Sequence, residues 1–488
     1  MILLLLLACP GLKEGPDDTA GGANGGEDTS GEDSGDTGRD GLADATASFV
    51  GAPSDAAGSS VLGPGDLDGD GAADAVVGAY YGGRLCWFRG PIAPGRHDLD
   101  AADGCLVGEG LYDFAAYTIA AAGDVDGDGT DDMLVGAVGN GEMGANAGKV
   151  YVVAGPPDAG EVSLATSYAT WVGEAGADYA GIGLAAGGDL TGDEVPDLLV
   201  GASGNDGGGA GGGKAYLLPG PILPGAWLLS DVETTFVGAA SPSSKLAHGS
   251  LGGGDLVGDA LAGPGDLNGD GLDDLALGAG GNGTNGTTSG LAAIWWGPIG
   301  AGSYGLAEAD QLWYGPEAGA YAGSPLVAGG DLDGDGRPDL LVAADGLGAG
   351  TIFVVPGGGG GATHTLSEAA IQFVGETIGD QAGAAVVAPG DIIGDDAADV
   401  AIGAPAWDGV GPDVGRVHLY AGPFVAGTYT VLDAAEILAG ERDSDNAGRA
   451  LAGTLDLTGD GLRDLLVGAS YNDEGGAFAG KVYLIDGR

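Results

Sequence analysis

Short acidic loops recur along this chain. Residues 66–74 read DLDGDGAAD and residues 124–132 read DVDGDGTDD, and each runs straight into an apolar segment, AVVGA or MLVGA. Counted from the first aspartate, positions 1, 3, 5 and 9 carry side-chain oxygens. Position 7 offers a carbonyl, and position 6 is often a glycine that allows a sharp bend. Carboxylates at this density repel one another unless a positive charge sits among them. Six to eight hard oxygen ligands at about 2.3 to 2.6 Å are what calcium takes. An EF-hand would place a bidentate Glu at position 12, with helices on both sides. Here position 12 is Val77, Val135, Val200, Leu277, Val342, Ile402 or Val467, so the EF-hand is excluded.

The elements that must hold these loops show a period. The loops begin at Asp66, Asp124, Asp189, Asp266, Asp331, Asp391 and Asp456. After each comes an apolar strand such as DLLVGA, then a glycine-rich turn and a second strand such as GKVYVVAG. A variable loop leads to a third, such as TWVGE, and a short run such as GAAVVAPG feeds the next acidic loop. Runs of four to six β-branched residues bounded by Gly, Asn or Asp are strands, and no long stretch carries a 3.6-residue apolar period. Seven such units of four strands predict an all-β, seven-bladed β-propeller. A linear solenoid would need polar capping repeats, which the end units lack. Closure has its own mark: Ser48-Phe49-Val50-Gly51 is an outer strand without inner ones, and the last unit stops after Lys481–Leu484, one strand short.

The pattern DxDGDGxxD followed by DLLVGA, with FVG upstream, resembles the FG-GAP repeat of the integrin α-subunit headpiece. The resemblance covers residues 47–488 and implies calcium sites between the first two strands of a blade. Carried over, the ligands would be Asp66, Asp68, Asp70 and Asp74 in the first loop and Asp124, Asp126, Asp128 and Asp132 in the second. Asp331, Asp333, Asp335 and Asp339 form the third complete set. Asp266, Asn268, Asp270 and Asp274 exchange one carboxylate for an amide oxygen. Two loops carry threonine at position 3 and are expected to bind more weakly: Asp189, Thr191, Asp193, Asp197 with Glu194 at the bend, and Asp456, Thr458, Asp460, Asp464. Asp391, Asp395 and Asp399 flank Ile393, with Asp396 at the bend, and that loop is expected to be weak or empty. The expectation is about six structural Ca²⁺ ions that stabilise the folded state by linkage. Solvated acidic turns without metal are the plainer alternative.

With 71 acidic and 15 basic residues the net charge is -56, so nucleic acid is a poor partner. The chain opens MILLLLLACPG, in which Leu6-Leu7-Ala8-Cys9 resembles a bacterial lipobox without a basic n-region. This predicts residues 1–9 as a signal segment, lipidation at Cys9, and an envelope location, outer-membrane-anchored and either periplasmic or surface-exposed. Residues 10–46 hold ten acidic residues and no aromatic, which predicts a disordered stalk spanning roughly 35 Å. An oxidising compartment permits a disulfide. The propeller topology would put Cys86 and Cys105 on neighbouring strands of the first blade, with two unpaired thiols as the alternative.

No catalytic pattern stands out. His97, His248, His364 and His418 are scattered, without zinc or acid/base spacing. An insertion at about 239–260 is a candidate binding loop or a tolerated surface insertion. Trp171 and Trp313 occupy the Phe position of the FVG strand and are expected in the core. Trp87, Trp295 and Trp296 fall on strands, Trp227 and Trp407 on loops. The expectation is a monomeric, non-enzymatic adhesion or recognition propeller for an extracellular protein or glycan. A glycan-binding lectin is the first alternative, although no clear repetition of aromatics at inter-blade positions is visible. A cryptic hydrolase is the second.

Overall fold

The computed structural model describes residues 41–488 apart from 111, 157–158, 241–253, 359–361 and 410. Cys9, nearly all of the stalk, His248 and most of the insertion lie outside the described residues. Within them the chain forms seven antiparallel sheets arranged as the blades of a propeller. Blade 1 contains, from the axis outward, Ser60–Gly65, Asp74–Ala79, Arg84–Phe88 and Gly104–Val107. Each innermost strand touches those of both neighbours, including Ser60–Gly65 against Ala450–Gly453, so the ring is closed.

The seventh blade is completed by the N-terminal strand. Ala47–Val50 pairs antiparallel with Lys481–Ile485, Phe49 opposite Val482. Order reaches back beyond the expected boundary at 47, because Leu42–Asp44 form a 3-10 turn whose Leu42 is fully buried.

The core lies between blades, in seven clusters. Strand side chains point alternately to the two faces of a sheet. Val76 therefore enters the cluster shared with blade 2, and Val77 the one shared with blade 7. A strand buried on both faces reads as an unbroken apolar run, which explains DLLVGA.

The structure adds a fifth strand that the repeat pattern does not show. In six of the seven sheets, a short strand from the next blade pairs in parallel with the outer strand. Phe49 thereby faces His97, Trp171 faces Trp227, Phe236 faces Tyr304, Trp313 faces His364 and Phe373 faces Tyr429. Phe236 and Tyr304 stack at 5.4 Å, Trp313 and His364 at 4.3 Å. Inter-blade aromatics do repeat, then, and they close the rim. Trp227 is on the strand Gly225–Leu228 rather than on a loop, and Trp296 follows its strand instead of belonging to it. Trp171 and Trp313 are core residues as expected.

Cys86 and Cys105 are directly opposite each other on adjacent strands of blade 1 and form a disulfide. No helix among the described residues is long and apolar enough to cross a membrane.

Candidate functional site

All seven acidic loops connect the first and second strands of a blade and therefore share one face of the ring. Their internal geometry repeats. The position-1 carboxylate accepts backbone N–H groups from across the loop: Asp66 Oδ1 from Asp70 at 3.1 Å, Oδ2 from Gly71 at 2.8 Å. The position-5 carboxylate accepts from position 7, as Asp70 does from Ala72 at 2.9 Å.

Position 9 has a second task. Asp74 Oδ2 accepts from Leu67 N at 2.9 Å, and its Oδ1 accepts from Gly90 N, also at 2.9 Å, at the end of the third strand. Asp132, Asp197, Asp274, Asp339, Asp399 and Asp464 repeat this clasp. All seven are fully buried. Burial pushes Asp74, Asp132, Asp274, Asp339 and Asp464 up to about 6 against the pull of those N–H donors. Asp197 and Asp399 are raised for the same reason.

Carboxylate oxygens converge in three loops. Asp66, Asp68 and Asp70 lie with one oxygen each inside 4.8 Å of one another, as do Asp124, Asp126 and Asp132, and Asp331, Asp333 and Asp339. Each of these clusters could hold a metal ion. They fall in the three loops whose sequence carries a carboxylate at every ligand position. In the seventh loop the Thr458 hydroxyl is buried without a hydrogen-bond partner, an oxygen suited to a hard cation. In the first, Arg89 Nε reaches Asp68 Oδ2 at 2.6 Å and already answers part of the charge.

The opposite face carries the turns between second and third strands and the links between blades. Sequence reasoning missed what gathers there. Tyr80 lies 4.3 Å from Tyr81, 5.6 Å from Tyr117 and 6.1 Å from Phe114, ring centre to ring centre. Tyr471 lies 5.9 Å from Phe478. Burial, and after it the neighbouring Tyr81, Tyr471 and Tyr117, push the Tyr80 hydroxyl well above its ordinary value. Tyr81, Tyr112 and Phe478 are exposed at 44%, 72% and 54%, so an aromatic surface spans blades 7, 1 and 2. The signal was available in Tyr80-Tyr81, directly after a strand, and in a search that looked past tryptophan.

FG-GAP repeat models match residues 115–153, 325–362 and 447–485, and an FG-GAP-like repeat model matches 266–342. In the ring, these segments carry the clasped acidic loops or the strands that flank them. The chain is an FG-GAP, integrin alpha-like β-propeller. This FG-GAP propeller is 30% identical over 223 residues to integrin alpha-PS2 of Drosophila melanogaster, covering 44% of the chain and 14% of the relative. It is 32% identical to integrin alpha pat-2 of Caenorhabditis briggsae over 174 residues, 35% of the chain and 12% of that protein. With mouse integrin alpha-M it shares 32% over 178 residues, 34% of the chain and 15% of the relative. The FG-GAP propeller thus spans only a small part of the length of the proteins it matches.

Proposed function

We propose that this propeller is a recognition module that binds a protein or glycan at a cell envelope, with calcium in the acidic loops as a structural clip. The aromatic surface across blades 7, 1 and 2 carries the reading. Monomeric proteins rarely leave a contiguous apolar patch in water without using it. Tyr supplies large contact area at low entropic cost and keeps a polar handle. The clasps support the division of labour, because a device repeated in all seven blades is a part of the scaffold. No single loop is set apart as a catalytic centre, and the protein acts by binding.

In this reading Asp66, Asp68 and Asp70, Asp124, Asp126 and Asp132, and Asp331, Asp333 and Asp339 hold calcium most firmly. The Thr and Asn loops hold it less firmly and the Asp391 loop least. The ions tie the first two strands of each blade together and quench the repulsion of the carboxylates. Lipidation at Cys9 would anchor the chain and residues 10–46 would hold the ring off the membrane; incorporation of labelled palmitate, lost in Cys9→Ser, tests the anchor.

The exposed aromatic surface favours one second reading, a lectin, since sugar faces stack on such rings. A glycan array and envelope pull-downs with the full chain, in calcium and in EDTA, separate the two. Hits on one sugar class that vanish in Tyr81→Ala and Phe478→Ala make it a lectin. A blank array with a captured partner sensitive to the same substitutions makes the ligand a protein. Binding unaffected by both substitutions would overturn the assignment of the face.

A further inference from the structure

A second feature of that face lies between blades 5 and 6, away from the aromatic surface. At four blade junctions an aspartate on the link pairs with an asparagine on the next blade's turn, 27 positions later. Asn205 Nδ2 donates to Asp178 at 3.0 Å, Asn282 to Asp255 at 3.0 Å, Asn472 to Asp445 at 2.7 Å and Asn140 to Asp113 at 3.2 Å. The amide supplies the donor that a buried carboxylate oxygen requires.

Between blades 5 and 6 the aspartate is kept and the asparagine is not. The position 27 beyond Asp380 holds Trp407. Asp380 is 5% exposed, and its Oδ2 is buried without a hydrogen-bond partner among the described residues. Burial raises its carboxyl despite nearby Arg416. In place of the pair there is a cavity of about 260 Å³, lined by Asp380, Asp408, Asp413, Trp407, Ala406 and Ile378 with the adjoining link. Arg416 is ion-paired with Glu376 through Nη2 and lies over the Trp407 ring at 4.5 Å, while its Nε is buried without a hydrogen-bond partner among the described residues. Asp408 is exposed and accepts the backbone N–H of Asp413 at 3.0 Å.

We infer that this cavity is a binding site for a small organic cation, an alkylammonium or guanidinium group. Its N–H donors would satisfy Asp380 Oδ2, as the asparagine does in the sister junctions, and its charge would answer the carboxylates of Asp408 and Asp413. An alkyl stem would lie against Ile378, Ala406 and Trp407. A bare metal ion fits less well, because the carboxylate groups that converge to ligating distance among the described residues are all in the acidic loops on the other face. The site stands apart from the aromatic-surface reading and is tested separately.

Titration calorimetry of the full chain in calcium, with butylguanidinium chloride and separately with a capped peptide bearing one arginine, tests this. Wild type is expected to bind at least one of them saturably at one site. Asp380→Asn should weaken binding by about tenfold or more, because the charge on the accepting group is lost and only a neutral amide oxygen remains. Trp407→Asn returns the amide that Asp380 lacks, and should abolish binding without lowering the melting temperature. Binding of both probes points to a partner's side chain, and binding of butylguanidinium alone to a free small organic cation. No saturable binding by wild type, or unchanged affinity in either variant that keeps its melting transition, overturns the site.

Discussion

Lys214 Nζ lies 2.6 Å from Glu174 Oε1, although Glu174 follows the outer strand of blade 2 and Lys214 opens the third strand of blade 3. Tyr216 Oη donates to the same oxygen at 3.0 Å. The 40-residue spacing returns in Glu109–Lys149, Glu376–Arg416 and Glu441–Lys481, so four junctions carry the same ionic lock between consecutive blades. Most of each lysine or arginine side chain is covered, and a removed partner leaves a charge half out of water. We expect Glu174→Gln to cost about 1 to 2 kcal/mol, and the double variant with Lys214→Met to recover part of it. A double-mutant cycle by chemical denaturation reads the coupling, and strict additivity would count against the lock.

Two acidic loops carry a strain that the others avoid. At the bend, Gly71, Gly129, Gly271, Gly336 and Gly461 have φ between 90° and 94°, while Glu194 and Asp396 hold φ of 70° and 69° in the same place. No atom comes within 4 Å of a Cβ built at Gly71, Gly129, Gly271, Gly336 or Gly461, so the backbone angle and not space selects glycine. Glu194→Gly and Asp396→Gly should each stabilise by up to about 1 kcal/mol. Thermal melts that show both variants less stable than wild type would refute this.

Metal removal separates the loops. Saturating calcium at a hundredfold excess over Kd adds about 2.7 kcal/mol per site, and chelation takes it away. Asp126→Asn and Asp333→Asn should reduce the calcium-dependent gain in melting temperature, whereas Asp391→Asn should change it little. Identical melts in calcium and in EDTA would leave the loops as solvated turns.

The disulfide joins residues 19 apart inside one blade. Cross-linking a loop of this size is worth about 3 kcal/mol in the chain-entropy account. The Cys86→Ala/Cys105→Ala double variant should lose about that much, and Cys86 and Cys105 of the native protein should not react with thiol reagents until it is unfolded and reduced.

His418 supplies a pH signal. It is buried in blade 6, and burial, with help from Arg416, lowers its pKa to about 3. Below its ordinary 6.5 the unfolded chain takes up a proton that the folded chain refuses, so this contribution is intact above 6.5 and shrinks as pH falls toward 3. At pH 5 the loss is about 2 kcal/mol. His418→Leu should therefore be more stable relative to wild type at pH 5 than at pH 8; a difference independent of pH would show that His418 does not titrate this way. The raised aspartates act in the opposite sense in both proteins and cancel in the comparison.

Much of the fold was legible because a propeller repeats its physics. Asp66 to Asp74 already display the loop, Val76 and Val77 the two-sided burial, and Phe49 the closing strand. The rim was not legible. His97, Trp227, Tyr304, His364 and Tyr429 are in connections whose sequences barely resemble one another, and they become equivalent only when a parallel strand sets each beside an outer-strand ring. The ligand loops could be ranked by composition, while the clasp made by Asp74 and its counterparts needed the position of Gly90 N, which lies outside the loop.

The sequence by itself determined the seven-fold repeat, the acidic loops and the closing strand, since each follows from local spacing and the alternation of strand side chains; the pairing of Cys86 with Cys105 was decided by the register of their two strands. Tertiary structure alone decided which distant residues meet. Glu174 finds Lys214, four ring pairs meet at the rim, tyrosines from three blades share one surface, and Asp380 is left with Trp407 at the position of an asparagine. Those contacts depend on the angle and register between neighbouring blades, which are set by packing summed over whole interfaces and are written in no single stretch of chain.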